Sequence, residues 1–342
     1  MIRPTIHDVA RTAGVSLSTV DRVLNGRPGV RSSTLARVAE AMRELGYERD
    51  IAAANLSKQR IYRFSFIIPE GPNTFMRGLQ SEIEGFSAEA ARNRVEIRVE
   101  TVPPFDGAAL VSRLEALNPA EVDGVAVVAT DDARVADAFA RAVRRGIQVI
   151  TLVSDLPASD RRYFVGVDNV VAGRTAAGLL GRFCRDRPGR IAVVAGSMVV
   201  RDHAERRLGF EQVMRGEFSR LEVHPTIEGR DDADIVAREL GSVLERHPDV
   251  VGIYSLGAGN RGIIRAVSAV TPDIRPAIVV HELTPHTREA LLSGLFDAAI
   301  NQNAAREVRS AVRILRALID GAAIDRSQEN IGVEIFLRDN LP

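Results

Sequence analysis

The sequence has one cysteine, few aromatic residues and no long uncharged stretch. Cys184 has no partner for a disulfide within the chain, and it lies in an apparent helix, Leu179–Cys184, where a packed thiol is expected. No run of about 18 residues is free of charge, so we expect no membrane span. Tryptophan is absent and tyrosine occurs four times, which argues against a broad stacking platform for a long oligosaccharide.

The common motifs of catalysis and metal binding are also missing. There is no P-loop, no G-x-S-x-G nucleophile turn and no paired-cysteine ligand set. The segment His281–His286 resembles the H-E-x-x-H zinc signature, but it holds one residue too many and Pro285 would interrupt its helix. We therefore expect no metal, no cofactor and no catalytic residue.

The segment Gly257–Gly262 does match a known motif, the dinucleotide fingerprint. It follows a candidate strand, opens a candidate helix and precedes the strand-ending Glu282 by 20 residues. An enzyme or sensor that binds NAD, NADP or another nucleotide is therefore the alternative function. The turn comes late in its sheet, however, whereas the fingerprint belongs to the first strand–helix turn. We expect its glycines to let the backbone approach a small ligand, with Asn260 as a polar contact.

Charge is unevenly distributed along a chain whose formal net charge is zero. Residues 1–60 hold ten Lys or Arg against six Asp or Glu, whereas the remaining 282 residues hold 35 against 39. With 342 residues and 45% apolar content, the chain can fill more than one core. The basic segment is therefore expected to be a separate domain that can contact phosphates.

This basic segment contains two short helix patterns separated by a tight turn. Thr5 and Asp8 form an approximate capping box for the first helix, and Gly14 supplies the positive φ that ends it. Ser16 caps a second helix, Leu17–Leu24, which turns polar side chains outward in an arrangement suited to a major groove. A third helix pattern follows, with Leu35 expected on its buried side, so we interpret the segment as a helix-turn-helix whose second helix reads DNA.

The same residues resemble the DNA-binding headpiece of the lac-repressor/gal-repressor (LacI) family. The family pattern D-V-A-x-x-A-G-V-S-x-x-T-V-x-R-V-L-N runs from Asp8 to Asn25, although the usual Ser before its arginine is Asp21 here. An acid at that position should repel phosphate or accept from a cytosine amino group. The DNA contacts that we expect in this headpiece and the hinge after it are Thr5, Ser16, Leu17, Ser18, Thr19, Arg22, Asn25, Arg31, Asn55 and Leu56.

The resemblance also divides the N-terminal part of the chain. Residues 1–49 would form the headpiece, and residues 50–61 a hinge helix that becomes ordered only on DNA. Leu56 stands where the family inserts an apolar wedge into the minor groove. A featureless linker is the alternative, because so short a helix is marginal alone in water.

From Tyr62 the pattern changes to apolar runs that alternate with amphipathic stretches such as Asp132–Arg145 and Asp232–His247. Continuous apolar runs are expected when helices cover both faces of a parallel sheet. The candidate strands are Phe64–Ile68, Val95–Val99, Gly124–Ala129, Val149–Val153, Phe164–Val167, Ile191–Ala195, Leu221–Thr226, Val250–Tyr254, Ala277–His281, Ala298–Ile300 and Gly332–Phe336.

This body, residues 62–342, resembles the ribose-binding type of periplasmic sugar-binding protein (type I) that LacI regulators carry. The matching segments are Val165–Gly173, Arg206–Phe210 and Ala299–Gln302. The resemblance implies an α/β body of two doubly wound parallel-sheet lobes behind a small all-α headpiece. The first lobe would take about 62–165 and 295–325, and the second about 166–290 and 326–342. Ligand should bind at the carboxyl ends of the strands, between the lobes.

Six side chains are candidates for ligand contact: Phe75, Asp155, Arg206, Asn260, Glu282 and Gln302. Asp155 and Glu282 end strands, where a carboxylate can accept from sugar hydroxyls, although Asp155 could equally be a solvated loop acid. Arg206 matches the family's ligand-clamping arginine, with a surface cation as the alternative. Gln302 matches the family's crossover glutamine, and Phe75 could stack on a pyranose or close the core.

The sequence therefore predicts a DNA-binding transcription regulator, a repressor of carbohydrate-utilisation genes that responds to a sugar-like effector. The resemblance implies a pseudo-palindromic operator in double-stranded DNA and a monosaccharide, polyol or sugar derivative as effector. The chain begins with the headpiece and shows no apolar signal region, so we expect a cytoplasmic protein. No leucine heptad follows the last strand, unlike in the family's tetramers, so a homodimer is expected.

Overall fold

The computed structural model describes residues 4–24, 28–47, 60–185, 187–257, 259–270 and 275–342. The chain forms two compact units, Met1–Arg60 and Ile61–Pro342, and each is described by itself. None of the helices in these described ranges is both long and apolar enough to cross a membrane.

The described part of the N-terminal unit forms three helices: Ile6–Ala13, Leu17–Leu24 and Ser32–Leu45. Thr5 accepts from the backbone N–H of Asp8, and the Asp8 carboxylate accepts in return from the backbone N–H of Thr5 at 2.9 Å. Gly14 ends the first helix with a φ of 61°, a left-handed conformation that favours glycine. The predicted capping box and helix-turn-helix are therefore confirmed.

The core of this unit is small, and the third helix departs from the prediction. Three valines are fully buried at its centre: Val9, Val20 and Val38. Leu35 was expected on the buried side but is 43% exposed. The side chain that ties the third helix to the first is Arg37, whose Nε donates to the carbonyl of Ala13 at 3.1 Å. The guanidinium thus satisfies a carbonyl that the end of the first helix leaves unpaired.

The first sheet of the body has five parallel strands in the order β2-β1-β3-β4-β5. These strands are β1 Tyr62–Pro69, β2 Val95–Val102, β3 Gly124–Val127, β4 Gln148–Leu152 and β5 Tyr163–Val165. The helices between them are Thr74–Arg92, Gly107–Ala116 and Ala133–Arg144. The order reverses beside β1, so this lobe is doubly wound as predicted.

The second sheet has the order β12-β11-β10-β9-β6-β7, with β8 also paired to β6 and only β12 antiparallel. Its strands are β6 Gly189–Ala195, β7 Leu221–Val223, β8 Ile227–Glu228, β9 Val250–Ser255, β10 Ala277–His281, β11 Ala298–Asn301 and β12 Glu334–Phe336. Its helices are Asn169–Phe183, Arg201–Glu217, Ala233–Arg246, Asn260–Ala269 and Pro285–Leu292. The predicted strand Leu221–Thr226 is thus shorter than expected and ends at Val223, and β8 begins just after the predicted range.

The chain returns to the first lobe later than predicted. β11 pairs with β10, so residues 295–301 belong to the second sheet and not to the first lobe. The helix that does return is Ala304–Asp320, whose Val308 and Leu315 lie in the core of the first sheet. The next segment also stays there, because Arg313 on this helix pairs with Glu329 of the short helix Arg326–Glu329 at 2.8 Å. Both predicted boundaries were wrong because apolar runs do not reveal which sheet they join.

Two glycines allow the helices Asn169–Phe183 and Arg201–Glu217 to touch backbone to backbone. A Cβ on Gly173 would lie 1.9 Å from the carbonyl oxygen of Arg206, and a Cβ on Gly209 would lie 2.1 Å from that of Val170. No side chain larger than hydrogen fits at either point. These two glycines belong to the segments that carried the resemblance, and their close contact places Arg206 inside the lobe.

Candidate ligand cleft and reading helix

The loops at the carboxyl ends of the strands in the two lobes face each other across a cleft. Three side-chain contacts cross it: Asn73 Nδ2 to Asp231 Oδ2 at 2.9 Å, Arg261 Nη2 to Thr74 Oγ1 at 2.8 Å, and Arg201 Nη1 to Asp131 Oδ2 at 3.6 Å. Asn73 also caps the helix Thr74–Arg92 through its side-chain oxygen. The lobes are therefore held together by polar contacts at the ends of their loops.

Phe75 and Asn260 line a cavity at the mouth of this cleft, which contains about 760 Å³ of space that is partly open to solvent. Phe75 is half-buried and also packs on the core of the first lobe, so it can serve both of its predicted roles. The Asn260 side chain is occupied within its own lobe. Its Oδ1 accepts from Ser255 at 2.7 Å, and its Nδ2 donates to the carbonyl of His281 at 2.9 Å.

Arg206, Glu282 and Gln302 lie together below the cleft and are between 1% and 3% exposed. Arg206 Nε donates to Asn169 Oδ1 at 2.8 Å, and its Nη1 donates to the carbonyl of Leu256 at 2.7 Å. Its Nη2 lies 3.7 Å from Glu282 Oε1, beyond hydrogen-bond reach. Gln302 Nε2 donates to that same carboxylate oxygen at 2.8 Å. The structure thus brings together three of the six predicted ligand residues.

Two atoms of this cluster, Arg206 Nη2 and Gln302 Oε1, are buried without a hydrogen-bond partner among the residues that the structure describes. A buried donor or acceptor left unpaired costs about 1–3 kcal/mol. One such donor and one such acceptor around the same carboxylate therefore form a place where a polar ligand would be stabilised.

Burial raises the pKa of Glu282 to about 7, although the neighbouring Arg206 acts to lower it. Glu282 also has a φ of 70°, a left-handed backbone conformation that is strained for glutamate. Behind it lies Glu307, which is fully buried and has both carboxylate oxygens unpaired within the described part of the chain. Burial raises the pKa of Glu307 well above its usual range, and Glu282 adds to that effect.

We predict that Glu282→Gln removes a pH-dependent loss of stability. From pH 4.5 to about 7 the folded protein holds a proton on Glu282 that the unfolded chain has lost. The contribution of Glu282 to stability must therefore fall as the pH rises through this window, by about 3 kcal/mol in total, and stay level above it. Urea unfolding at pH 5 and pH 8 should show the variant equal to the parent at pH 5 and more stable at pH 8.

Exposed Glu289 supplies the matched control for this prediction, since it lies on the helix Pro285–Leu292 just beyond Glu282. Glu289→Gln should leave the pH dependence of unfolding as it is in the parent. An equal stability difference between Glu282→Gln and the parent at both pH values would contradict the prediction. Glu282→Gln also removes the contribution of Glu282 to the raised pKa of Glu307, which lessens the pH-dependent loss of stability in the same direction as the predicted effect.

Asp155 is engaged inside the first lobe. Its Oδ2 accepts from Arg161 Nη2 at 2.6 Å, and its Oδ1 accepts from Thr151 Oγ1 at 2.6 Å and from the backbone N–H of Leu156 at 2.8 Å. Both carboxylate oxygens therefore have protein partners. Asp155 lines a separate groove with Tyr163 and other residues, away from the mouth of the cleft.

The reading helix Leu17–Leu24 presents an exposed polar face. Ser16, Ser18 and Arg22 are exposed, Thr19 is half-buried, and Leu17 is 40% exposed at the helix start. Ser16 Oγ accepts from the backbone N–H of Thr19 at 3.2 Å and so caps the helix as predicted. Two further predicted contacts, Thr5 and Arg31, are exposed before the first and third helices, and three lie outside the described residues: Asn25, Asn55 and Leu56.

Both units of the chain match known families. Residues 64–323 match the periplasmic binding protein domain, and residues 5–50 match the lacI family of bacterial regulatory proteins. This chain is a member of the lacI family. It is a DNA-binding transcriptional regulator with a periplasmic-binding-protein-like α/β body, and both the predicted family and the predicted fold class are confirmed.

Among the curated relatives of this lacI-family regulator is the HTH-type transcriptional regulator pepR1 of Lactobacillus delbrueckii subsp. lactis. It is 26% identical over 293 residues, which cover 80% of this chain and 84% of that protein. Catabolite control protein A of Priestia megaterium is 42% identical over 80 residues, but that match spans only 23% of this chain and 24% of that protein. The described relatives are thus regulators, matched over different lengths.

Solved structures of sugar-binding and solute-binding proteins resemble the regulator over about four fifths of its length. GanP, a glucose-galactose binding protein from Geobacillus stearothermophilus, has a TM-score of 0.74 at 21% identity and covers 83% of this chain and 99% of its own. A solute-binding protein from Agrobacterium vitis bound to α-D-tagatopyranose has a TM-score of 0.73 at 23% identity and covers 82% of this chain and 95% of its own. At these identities the likeness establishes the fold.

Side chains from other helices of this lacI-family protein pack against its glycine-rich turn. A Cβ on Gly257 would lie 2.8 Å from His203 Nε2, and Cβ atoms on Gly259 and Gly262 would lie 2.7 Å and 2.6 Å from the side chain of Val236. The glycines therefore make room for a neighbouring helix and for His203. Gly257 and Gly259 also line the cavity at the mouth of the cleft, so the approach of their backbone to a small ligand stays a prediction.

Sequence reasoning missed two groups that the regulator places at the cleft. Asp231 and Asn73 bridge the lobes, and Asp202 and His203 line an inner cavity beside them. Asn73 was within reach of sequence reasoning, because an Asn directly before an amphipathic run is a helix-cap signal. Asp231 carried no such signal, since Asp232 beside it is the residue that caps the helix Ala233–Arg246.

Proposed function

We propose that this regulator is a repressor whose binding to a pseudo-palindromic operator is controlled by a sugar-like ligand held between the lobes of its body. The observation that carries the proposal is the buried cluster of Arg206, Glu282 and Gln302, which offers an unpaired donor and an unpaired acceptor at the carboxyl ends of the strands. Guanidinium, carboxylate and amide groups are suited to bind hydroxyls.

The mechanism is a shift between two populations of the body. A ligand that contacts both lobes favours the closed arrangement, in which Asn73 meets Asp231. The affinity of the protein for its operator changes to the extent that operator and ligand favour different arrangements. The sugars named for GanP and for the Agrobacterium vitis protein support a monosaccharide, a polyol or a sugar derivative as the ligand.

A binding selection followed by a ligand screen tests this proposal. Full-length protein is incubated with fragments of its own genome, and the retained fragments are sequenced for a shared two-fold motif. Thermal shift is then measured with monosaccharides, polyols, sugar phosphates and NAD, because a ligand at 100 times its Kd stabilises by about 2.7 kcal/mol. Any sugar that shifts the melting temperature should change operator affinity in fluorescence anisotropy. Stabilisation by NAD alone would favour the alternative of a nucleotide sensor.

We predict that Arg22→Ala weakens binding to the selected operator by about 1–3 kcal/mol, if Arg22 reads a guanine edge from the exposed face of the reading helix. Arg43→Ala is the matched control, since Arg43 is 73% exposed on the third helix and pairs only with Glu40 in the described contacts. Anisotropy titrations on operator and on random DNA measure both. An equal loss of affinity on the two DNAs would show that Arg22 contacts a phosphate and does not read a base.

We predict a dimer in solution and expect it in the cytoplasm, where bacterial operators lie. A two-fold pair of headpieces places two reading helices on successive turns of DNA. Three apolar side chains on the second lobe are between 37% and 44% exposed and could be covered by a second copy: Leu292, Ile335 and Leu337. Light scattering at micromolar concentration should give twice the mass of the 342-residue chain. A monomer or a stable tetramer would contradict this prediction.

A further inference from the structure

An inner cavity lies deeper in the cleft than the one at its mouth, and both lobes line it. It contains about 470 Å³ of space that is partly open to solvent, and its walls include Thr130 and Ser154 from the first lobe and Asp202, His203 and Asp231 from the second. The remaining lining is largely apolar, with Met76, Val128 and Val200 among its members. A small ligand with a polar edge and an apolar face would fit such walls.

Three polar atoms of this cavity have no protein partner. Asp231 Oδ1, Ser154 Oγ and Thr130 Oγ1 are buried and make no hydrogen bond to any residue that the structure describes. Ser154 is only 2% exposed, so bulk water does not reach its hydroxyl freely. One carboxylate oxygen and two hydroxyls that line the same space, all unpaired, mark a binding position for a group that donates hydrogen bonds.

The backbone holds Asp231 at this position under strain. Arg230 and Asp231 have φ values of 50° and 61°, so two consecutive residues without glycine's freedom adopt the left-handed conformation. Each costs on the order of 1–3 kcal/mol unless its surroundings fix it. The loop is fixed by Arg230 N–H, which donates to the carbonyl of Gly196 at 2.7 Å, and by Asn73, which donates to Asp231 Oδ2. Strain of this kind is characteristic of functional positions.

Acidic side chains surround the inner cavity. Asp202 and Asp231 line it, and none of its described lining residues is Arg or Lys. Two more carboxylates, Glu282 and Glu307, are buried nearby, and the one guanidinium among them belongs to Arg206, most of whose donors are used within the second lobe. A phosphate or carboxylate brought into this space would find no Arg or Lys among the described lining residues and would oppose ionisation of the carboxyl groups, whereas a cation would stabilise their ionised form.

We infer that the ligand is a polyol that carries a protonated amine, and that this amine is bound by Asp231 together with the hydroxyls of Ser154 and Thr130. The inference rests on the proposed function, because it specifies the chemical class of the ligand for the same cleft. An ammonium group has three donors and no acceptor, which matches one carboxylate oxygen and two hydroxyl oxygens.

Binding of an amine should also release a proton from the carboxyl group of Asp231. Burial raises the pKa of Asp231, while Asn73 and His203 act to lower it and Asp202 acts to raise it. An ammonium group beside the carboxylate stabilises its ionised form, so a proton leaves as the ligand enters. The heat of binding should therefore differ between buffers of different ionisation enthalpy, such as PIPES and Tris.

Matched sugars that differ only in charge test the inference on the full-length protein. The probes are the gluco, galacto and manno hexoses, each as the 2-amino sugar, the neutral sugar and the uronate, measured by isothermal titration calorimetry. At least one amino sugar should bind 10-fold or more tightly than its neutral counterpart, and the uronates should not bind. In Asp231→Asn this preference should fall below threefold, and Asn tolerates the left-handed backbone at this position.

Asp234→Asn is the matched control, because Asp234 lies in the same segment but its side chain is 78% exposed and pairs with Arg265. It should keep the preference for the amino sugar. Neutral sugars that bind as tightly as amino sugars, or uronates that bind better, would overturn the inference and leave the proposed function standing. Failure of every sugar to bind, whatever its charge, would overturn both.

Discussion

Replacing Arg206 by alanine should lower the free energy of unfolding of the body by about 3–5 kcal/mol and abolish any response to ligand. The guanidinium is 1% exposed and provides the positive charge beside Glu282 and Glu307, both of which are also buried. Its removal leaves two carboxyl groups without their nearest cation. It also deprives Asn169 and the carbonyl of Leu256 of their donors.

Arg207→Ala provides the control for this experiment. Arg207 is the next residue on the same helix, its side chain is 27% exposed, and it pairs with Glu211 at 2.6 Å and donates to Thr226. Because water reaches part of this guanidinium, its loss should cost less than the loss of Arg206. Urea unfolding of Arg206→Ala and Arg207→Ala measures the difference between their free energies of unfolding. Arg206→Lys keeps the positive charge but loses the planar set of donors, so it shows which of the two stabilises the cluster. If Arg206→Ala unfolds like Arg207→Ala, the buried cluster does not stabilise the lobe as its geometry indicates.

Gly173→Ala should destabilise the second lobe by more than about 3 kcal/mol, because overpacking here has no side chain to displace. The added Cβ would meet the backbone carbonyl of Arg206 at 1.9 Å, so the two helices must separate along their contact. Arg206 lies on the moving helix, and its bonds to Asn169 and Leu256 depend on that contact. We therefore expect loss of ligand response as well as a lower melting temperature.

Gly178→Ala on the same helix is the matched control. A Cβ there would meet only the far end of the Arg182 side chain at 3.0 Å, which can move aside. Alanine is the better helix former by about 1 kcal/mol, so this variant should be as stable as the parent or more so. Equal melting temperatures for Gly173→Ala and Gly178→Ala would show that the helix crossing is looser than the distance of 1.9 Å implies.

The elements that could be predicted from sequence are those whose signals are local. The first helix is predicted by Thr5, Asp8 and Gly14, which all lie within a stretch of ten residues. Most of the central strands of the two sheets are continuous apolar runs, and β10 was predicted at its observed bounds, Ala277–His281. Such signals require no knowledge of what lies across the fold.

The features that could not be predicted depend on partners that are distant or conformationally unusual. Asp155 finds Arg161 on the loop that follows it, so a carboxylate expected to face ligand is neutralised within its own lobe. Asp231 reaches the cleft through a left-handed φ of 61°, and no residue pattern predicts that conformation for an aspartate. Residues 295–301 were assigned to the wrong lobe because an apolar run specifies a strand but not the sheet that it joins.

The passage of the chain between lobes also sets an order of events on the ribosome. β5 is complete at Val165, whereas the helix Ala304–Asp320, which covers one face of the same sheet, starts at residue 304. Roughly 140 residues separate them, which is on the order of ten seconds of synthesis. During that interval the nascent sheet exposes Phe64 and Ile150, which the finished protein buries. The first lobe to be made is thus the last to be closed, and until then a chaperone can bind its open face.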